Sequence, residues 1–534
     1  MLIKALTLEN FKGIAEPVRI EFKPITLLFG PNSAGKSTVL QALVYTREIL
    51  ERHNLDPDRT LLGGEWMDLG GFDSLIHGHD RSRQLVIGFE LDVHSTDLPD
   101  YLHEGDSWLL ESAEGGGHFP EEWLSRIDSI AFSMVIRWSQ LLERPLVESV
   151  QIDANGSRIA ELASSQDGKD ITIEQLDVTH AIFRDEVDDD EEPTSWFTDL
   201  LEDALHEQRT RDWPKADLPL GGHQDALPEP EKGLNLDRSV WGSGYGVYAN
   251  HPLAFQLLIT SVLSGLIAGP IDLVRRELDK LIYIGPLREV PSRHPAYRRS
   301  PDVSRWARGT AAWDVLHNAD AAFVEKVNEW LTGDGKLDSG YAITQHRYRE
   351  LALDHPITLA IEQGLMLDEE DLSELFQMLP VHTRVAIRDM KADLEVFPQD
   401  IGVGISQVIP IIVGSIWQRS GILAVEQPEL HIHPALQVAL GDLFASELEN
   451  NEGIYLLETH SEHLMLRFLR RIRETAEGDL PPGAPELKPE QVAVIYVQST
   501  GQGVELMPLP ISEEGEFLQR WPKGFFEERA EELF

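Results

Sequence analysis

Apolar and polar positions alternate with a period of two at Ile3–Leu8 and Val18–Phe22, which predicts two strands. Ile25–Phe29 is a short apolar run that ends at Gly30. Ser37–Arg52 then reads as a helix with Leu40, Leu43 and Ile49 on its inner side, and Leu85–Leu91 as a further strand. From about residue 95 to 250 the periodicity becomes irregular. Order returns with a helix over Leu253–Leu281, a strand at Ile282–Ile284, a helical pattern at Thr310–Leu331 and a strand pattern at Val381–Ile387. The last third alternates strand and helix: Gly421–Glu426, Pro434–Asn450, Ile454–Glu458, Ser461–Ala476 and Val492–Val497. That alternation is an α/β signature. No internal repeat and no long heptad run is visible, so no extended coiled-coil arm is expected.

A chain of 534 residues corresponds to two to four units at about 100–200 residues each. The pattern divides it into residues 1–94, an insertion over 95–252, residues 253–480, and a strand pair with a tail over 481–534. Asp and Glu outnumber Lys and Arg by 91 to 46, a net charge of −45, which argues against a protein that coats nucleic acid over most of its surface. A local basic groove remains compatible with it. Eleven acidic residues and no Lys or Arg lie between Asp185 and Glu207, a solvated acidic loop or a docking segment for a basic partner. The absence of cysteine excludes disulfides, thiolate metal sites and Cys nucleophiles. The longest charge-free stretch, Pro252–Ile271, holds Gln256, Thr260, Ser261 and Ser264, which suits a buried helix better than a membrane span. With no apolar leader at the N-terminus, a cytoplasmic location is expected.

The strongest chemical signal is Gly30-Pro31-Asn32-Ser33-Ala34-Gly35-Lys36-Ser37-Thr38, which fits G-x-x-x-x-G-K-S/T between an apolar strand and a helix. Glycines let backbone wrap closely around phosphate, and loop N–H groups with the helix N-terminus face negative oxygens. Lys36 is placed to reach the β- and γ-phosphates of ATP, and Ser37 to ligate Mg²⁺. A second signal is the apolar strand ending in Glu426-Gln427-Pro428-Glu429, where carboxylates can hold a metal-bound water or polarise an attacking one. A third is the strand ending in Thr459-His460-Ser461, with His460 a candidate γ-phosphate contact. A fourth is Gly402-Val403-Gly404-Ile405-Ser406-Gln407, which opens the helix Val408–Trp417 and reads as a phosphate-binding turn or as a plain helix cap.

These four motifs in this order resemble ABC-type ATPase heads, and more closely the prokaryotic branch of the OLD, RecF and Rad50-like ATPases. Leu8-Glu-Asn-Phe-Lys-Gly, Tyr283-Ile-Gly-Pro-Leu-Arg288 and Glu429-Leu-His-Ile-His-Pro carry that closer likeness. The segment Trp521-Pro-Lys-Gly-Phe-Phe526 resembles a short C-terminal region on ATPases encoded in bacterial defence islands. The resemblance covers about residues 1–90 and 280–534, and it implies an α/β ABC-type P-loop head with a split core and a large inserted subdomain. It also implies ATP and Mg²⁺ as cofactors. Lys36 and Ser37 become the Walker A residues, Glu426 the Walker B acid and metal ligand, Ser406 the signature serine, and Glu429 to Pro434 the D-loop region. His460 becomes the switch histidine, and a homodimer or higher oligomer would pair one chain's P-loop with the other's Ser406. One departure stands out. Where the family's catalytic glutamate normally sits, the chain carries Gln427, which leaves Glu426 or Glu429 as the available acid and predicts slow hydrolysis.

Two arginine clusters, Arg288, Arg293, Arg298, Arg299, Arg305 and Arg308, and Arg467, Arg470, Arg471 and Arg473, read as salt-bridging residues or as nucleic-acid contacts. Three functions compete. The first is a regulatory ATPase of a Septu- or PARIS-like anti-phage system, acting on a separate nuclease or toxin. A fused TOPRIM nuclease is not expected, since little chain follows His460 here and that stretch has no acidic D-x-D motif. The alternative is a DNA-repair or DNA-tethering ATPase of the Rad50/RecF type. A transporter's ATPase subunit ranks third, disfavoured by the large insertion.

Overall fold

The computed structural model describes residues 2–521, except 63, 95–97, 102–122, 185–194, 206–212, 223, 243–251, 293–296, 300–302, 365, 367 and 502. Two large sheets organise them. One is a six-stranded sheet in the order Ile282–Ile284, Ile422–Glu426, Ile454–Thr459, Ile25–Phe29, Val492–Thr500, Gly503–Pro508. Its first five strands run parallel, and the sixth returns antiparallel as a hairpin. The strand before the glycine loop thus lies between two strands from the far end of the chain. This is an α/β sheet, as expected, with its core split between the two ends of the sequence.

Every parallel strand is buried on both faces, and its residues divide by parity between two cores. Leu28, Ala424, Leu456 and Ile495 point into one, and Leu27, Leu423, Leu457 and Val494 into the other. Strands covered on both sides need near-continuous apolar sequence, which is why these segments show apolar runs rather than alternation. The first core is closed by helix Ser37–Arg52 and a second sheet, the other by helices that include Thr310–Asn318, Val403–Trp417, Pro434–Glu447 and Glu462–Glu477.

The second sheet is antiparallel and has eight strands, in the order Lys215–Leu220, Ile171–Leu176, Ser157–Ser164, Arg144–Ala154, Ser129–Ser139, Leu85–Asp92, Ile3–Glu9, Val18–Glu21. Five of these strands fall in the stretch expected to be irregular, and they extend the N-terminal sheet rather than forming one of their own. Ser129–Ser139 alternates large apolar Ile130, Phe132, Met134 and Ile136 with residues such as Ser133 and Arg137. The next two strands add Glu148, Arg158 and Glu161 on the half-buried face, and these charges obscure the period.

The single helix expected over Leu253–Leu281 is two, Pro252–Ile267 and Gly269–Asp279, bent by 48°. Pro270 lacks an N–H and suits the first turn of a new helix, so the break falls there. Among the described residues no single helix is long and apolar enough to cross a membrane, and the bent pair meets that test only together. Ile259, Val262, Leu263, Leu266 and Ile267 of its first member lie in the protein core. The helical pattern at Thr310–Leu331 likewise divides, into Thr310–Asn318 and Ala321–Thr332, where Asp320 caps the second helix. Most of the acidic run at 185–207, Arg293 and the tail beyond Trp521 lie outside the described residues.

The C-terminal hairpin braces the glycine loop. Val504 packs against Gly35 and Gly13 and donates its N–H to the Gly13 carbonyl at 2.7 Å. The Trp521 ring meets Phe29, the last residue of the loop's strand, edge-on at 5.3 Å, and also touches Tyr496 and Phe517.

Much of the arginine content is held by the surplus acids. Asp442, buried on helix Pro434–Glu447, accepts Arg471 Nε at 2.7 Å and Nη2 at 2.8 Å, with Arg467 Nη1 at 3.5 Å. Arg470 and Arg471 both reach Glu474, Arg305 pairs with Asp314 at 2.6 Å, and Arg308 with Glu289 at 3.5 Å. Removing one partner of a buried pair strands the other charge, at a cost of roughly 3–5 kcal/mol. Asp442→Ala is therefore expected to lower the thermal unfolding temperature markedly, whereas Arg473→Ala, on the exposed side of helix Glu462–Glu477, should leave it close to wild type.

Candidate active site

The strands Ile25–Phe29, Ile422–Glu426 and Ile454–Thr459 all end at the same edge of the parallel sheet, where ligands bind in open α/β sheets. The loop that leaves the first strand turns because two residues are left-handed, Ser33 at φ 59° and Gly35 at φ 97°. Such changes of backbone hand make successive N–H groups converge into an anion-binding concavity. Gly30 is required for packing, since a Cβ there would lie 2.1 Å from the Val497 carbonyl oxygen. Pro31, Asn32 and Ser33 form the exposed arch, while Ala34, Lys36 and Thr38 are buried beneath it.

The Lys36 ammonium is 3% exposed and donates to the carbonyls of Gly30 at 3.2 Å and Pro31 at 2.9 Å and to His460 Nε2 at 3.0 Å. Burial lowers its pKa, against the attraction of Glu458, Glu429 and Glu426. Burial, with the Lys36 charge beside it, pushes His460 down to about 4, so the ring is neutral at physiological pH and its Nε2 accepts from Lys36. The structure thus brings Lys36 and His460, predicted from separate motifs, into direct contact.

Ser37 Oγ donates to Glu458 Oε2 at 2.7 Å, and Lys36 Nζ lies 3.9 Å from the other oxygen of that carboxylate. Glu458 and Glu426 are neighbours in register across two parallel strands. The pair shares a buried edge, and its charges oppose one another. Burial, then the Glu458 charge, pushes Glu426 up to about 7, while a hydrogen bond from Tyr283 Oη at 3.1 Å and the nearby Arg288 and Lys36 charges oppose the shift. Burial also raises Glu458, aided by Glu429 and opposed by Ser37 and Lys36. A hydroxyl beside two carboxylates is an all-oxygen donor set, the kind Mg²⁺ takes.

Glu429 faces another way. Its Oε2 accepts from Thr459 Oγ1 and its Oε1 from the His460 N–H, each at 2.7 Å. Both oxygens are occupied in holding the turn that carries His460. Gln427 is left-handed at φ 44°, with its N–H on the Glu458 carbonyl at 2.7 Å. Ser406 does not join the cluster. It is 2% exposed in the first turn of helix Val403–Trp417, with its hydroxyl donating to the Val403 carbonyl at 2.8 Å. That helix begins one turn earlier than the sequence suggested, at Val403, so the glycine-rich stretch is its opening turn.

Glu458 is the member that motif reading passed over. It closes the apolar run Ile454–Glu458, and the available signal is its place two residues before His460 beside a second strand ending in an acid. Arg288 and Tyr283 were noted only as part of a family-like segment and an arginine cluster, yet both touch residues of the carboxylate turn.

Residues 1–60 match the family described as AAA ATPase domain, and residues 487–534 match a family described as protein of unknown function, DUF3696. No relative among curated proteins matches the chain. Among solved structures it is similar to the SmcHead bound to the C-winged helix domain of ScpA, at 10% identity and a TM-score of 0.42, covering 96% of this chain and 98% of that one. It is also similar to the SMC head domain from Thermotoga maritima, at 9% identity and a TM-score of 0.35, covering 96% and 100%.

The raised Glu426 pKa ties the site to stability. A carboxyl raised from 4.5 to about 7 on folding holds a proton in the folded state that the unfolded chain has released. Its stabilising contribution is full below pH 4.5, declines as pH rises, and is gone above about 7. Glu426→Gln removes that decline. Relative to wild type the variant should be more stable at pH 8 than at pH 5, by roughly 1–3 kcal/mol. Thermal unfolding of both chains at the two pH values checks this, and an equal difference at both would refute the assignment.

Proposed function

We propose that this chain binds ATP with Mg²⁺, hydrolyses it slowly, and uses the nucleotide state to regulate a separate protein effector, such as a nuclease, in a bacterial anti-phage system. The observation that carries the ATPase reading is the convergence of Lys36, Ser37, Glu426, Glu458 and His460 on one sheet edge. The glycine loop and Lys36 would bind the phosphates. Ser37 and Glu426 would hold Mg²⁺, whose charge offsets that of the phosphate oxygens. Neutral His460, positioned by Glu429, would orient the terminal phosphate or a water beside it.

Slow turnover fits the same geometry. Gln427 occupies the family's base position, and an amide cannot accept a proton from water. Glu429, the nearest alternative, already accepts a hydrogen bond on each oxygen, and Glu426 is committed to Mg²⁺, so each available acid is engaged elsewhere. An enzyme that hydrolyses slowly holds one state long enough to act as a switch. In a homodimer Ser406 would serve the other chain's nucleotide once its buried hydroxyl leaves the Val403 carbonyl and turns outward. The ion pairing of Arg305, Arg467, Arg470 and Arg471 leaves fewer cations for DNA, so a protein partner is the better reading.

Turnover is expected toward the low end of roughly 1–1000 per second, or below it. Lys36→Ala should abolish nucleotide binding, and Gln427→Glu should raise the hydrolysis rate. A Gln427→Glu chain no faster than wild type would remove the argument for a missing base. The regulatory role has its own test in co-expression with the protein encoded beside this chain. Co-purification that responds to ATP is expected, whereas tight, salt-sensitive DNA binding by the chain alone, with no protein partner, would favour the DNA-tethering alternative.

A further inference from the structure

Arg288 follows the edge strand Ile282–Ile284 and the turn Gly285-Pro286-Leu287. Its side chain is buried, and its Nη2 donates to the backbone carbonyls of Glu426 at 2.7 Å and Gln427 at 3.2 Å. Its Nε and Nη1 meet no acceptor among the described residues. A guanidinium carries five N–H groups, and buried donors without partners are costly, more so on a charged group.

The contrast with Arg471 is informative. That arginine, equally buried, places Nε, Nη1 and Nη2 all on carboxylate oxygens. Arg288 has carboxylates close by and bonds to none of them. Glu429 is held by Thr459 and His460, and Glu426 by Tyr283. Burial lowers the Arg288 pKa to about 10, still far above neutrality, so the group remains a cation.

Its mounting is rigid. The Arg288 N–H donates to Gln407 Oε1 at 3.1 Å, and Gln407 Nε2 donates back to the Arg288 carbonyl at 2.6 Å. With the backbone pinned to one helix and Nη2 pinned to the carboxylate turn, the remaining donors have little freedom. They lie beside the turn whose Glu426 and Glu429 charges act on both Arg288 and Lys36.

We propose that Arg288 reads the terminal phosphate: its free Nε and Nη1 donors bind the γ-phosphate of the nucleotide held by Lys36, so the chain distinguishes ATP from ADP. This rests on the ATP-binding reading above. The γ-phosphate is the anion that separates the two nucleotides, and a cation fixed at that position stabilises only the triphosphate.

The test compares affinities for Mg²⁺ with adenylyl imidodiphosphate, a slowly hydrolysed ATP analogue, and for Mg²⁺ with ADP, by titration calorimetry. Arg288→Ala should weaken the triphosphate by about 10- to 100-fold, the range for a lost charged hydrogen bond, and leave ADP within a few-fold. Arg288→Lys, which keeps the charge without the planar fork, should fall between; should the alanine chain not fold, this variant carries the comparison. A purely structural role would lower the thermal unfolding temperature and leave the triphosphate-to-ADP ratio at the wild-type value, which would overturn the inference. A wild-type chain that binds neither nucleotide would overturn the ATP-binding reading and this inference with it. A wild-type chain that binds both, with an unchanged ratio in the variants, would overturn the inference alone.

Discussion

The parallel sheet is walled by apolar cores on both faces, and the chemistry follows from that constraint. No charge can sit within such strands without losing its hydration, so ionisable groups collect where the strands end. Glu426 and Glu458 are the first polar side chains after apolar runs, at matching register on neighbouring strands. The third strand at that edge delivers the glycine loop and Lys36. The sheet thereby gathers two carboxylates, a hydroxyl and an ammonium at one edge. The cost is visible in the raised Glu426 pKa, which reflects two buried acids competing for one cation.

The helices and the second sheet serve that edge indirectly. Pro434–Glu447 and Glu462–Glu477, locked by the Asp442 and Arg471 pair, hold the turns that follow the two acidic strands. Helix Val403–Trp417 holds the loop after the edge strand through Gln407. The antiparallel sheet supports helix Ser37–Arg52, whose N-terminus carries Ser37.

Sequence legibility followed the length scale of the signal. The glycine loop, the carboxylate strand and the histidine turn are contiguous motifs, and their spans matched the folded strands to within a residue or two. The wall of five strands at 129–220 was missed because its outer face mixes serine with paired charges, which weakens the alternation. Glu429 was assigned by proximity in sequence to the missing base. Its actual bonds, to Thr459 and His460, are some thirty positions away in the chain and leave no local trace. Glu458 and Arg288 were hidden for the same reason, since each matters through partners on other strands.

The C-terminal hairpin has a mechanical consequence. Val504 rests on Gly35, and Trp521 rests on the residue at which the P-loop strand ends. The final strands and Trp521 are therefore one jamb of the glycine loop. A load on Trp521 bears directly on the last residue of the strand that delivers the loop.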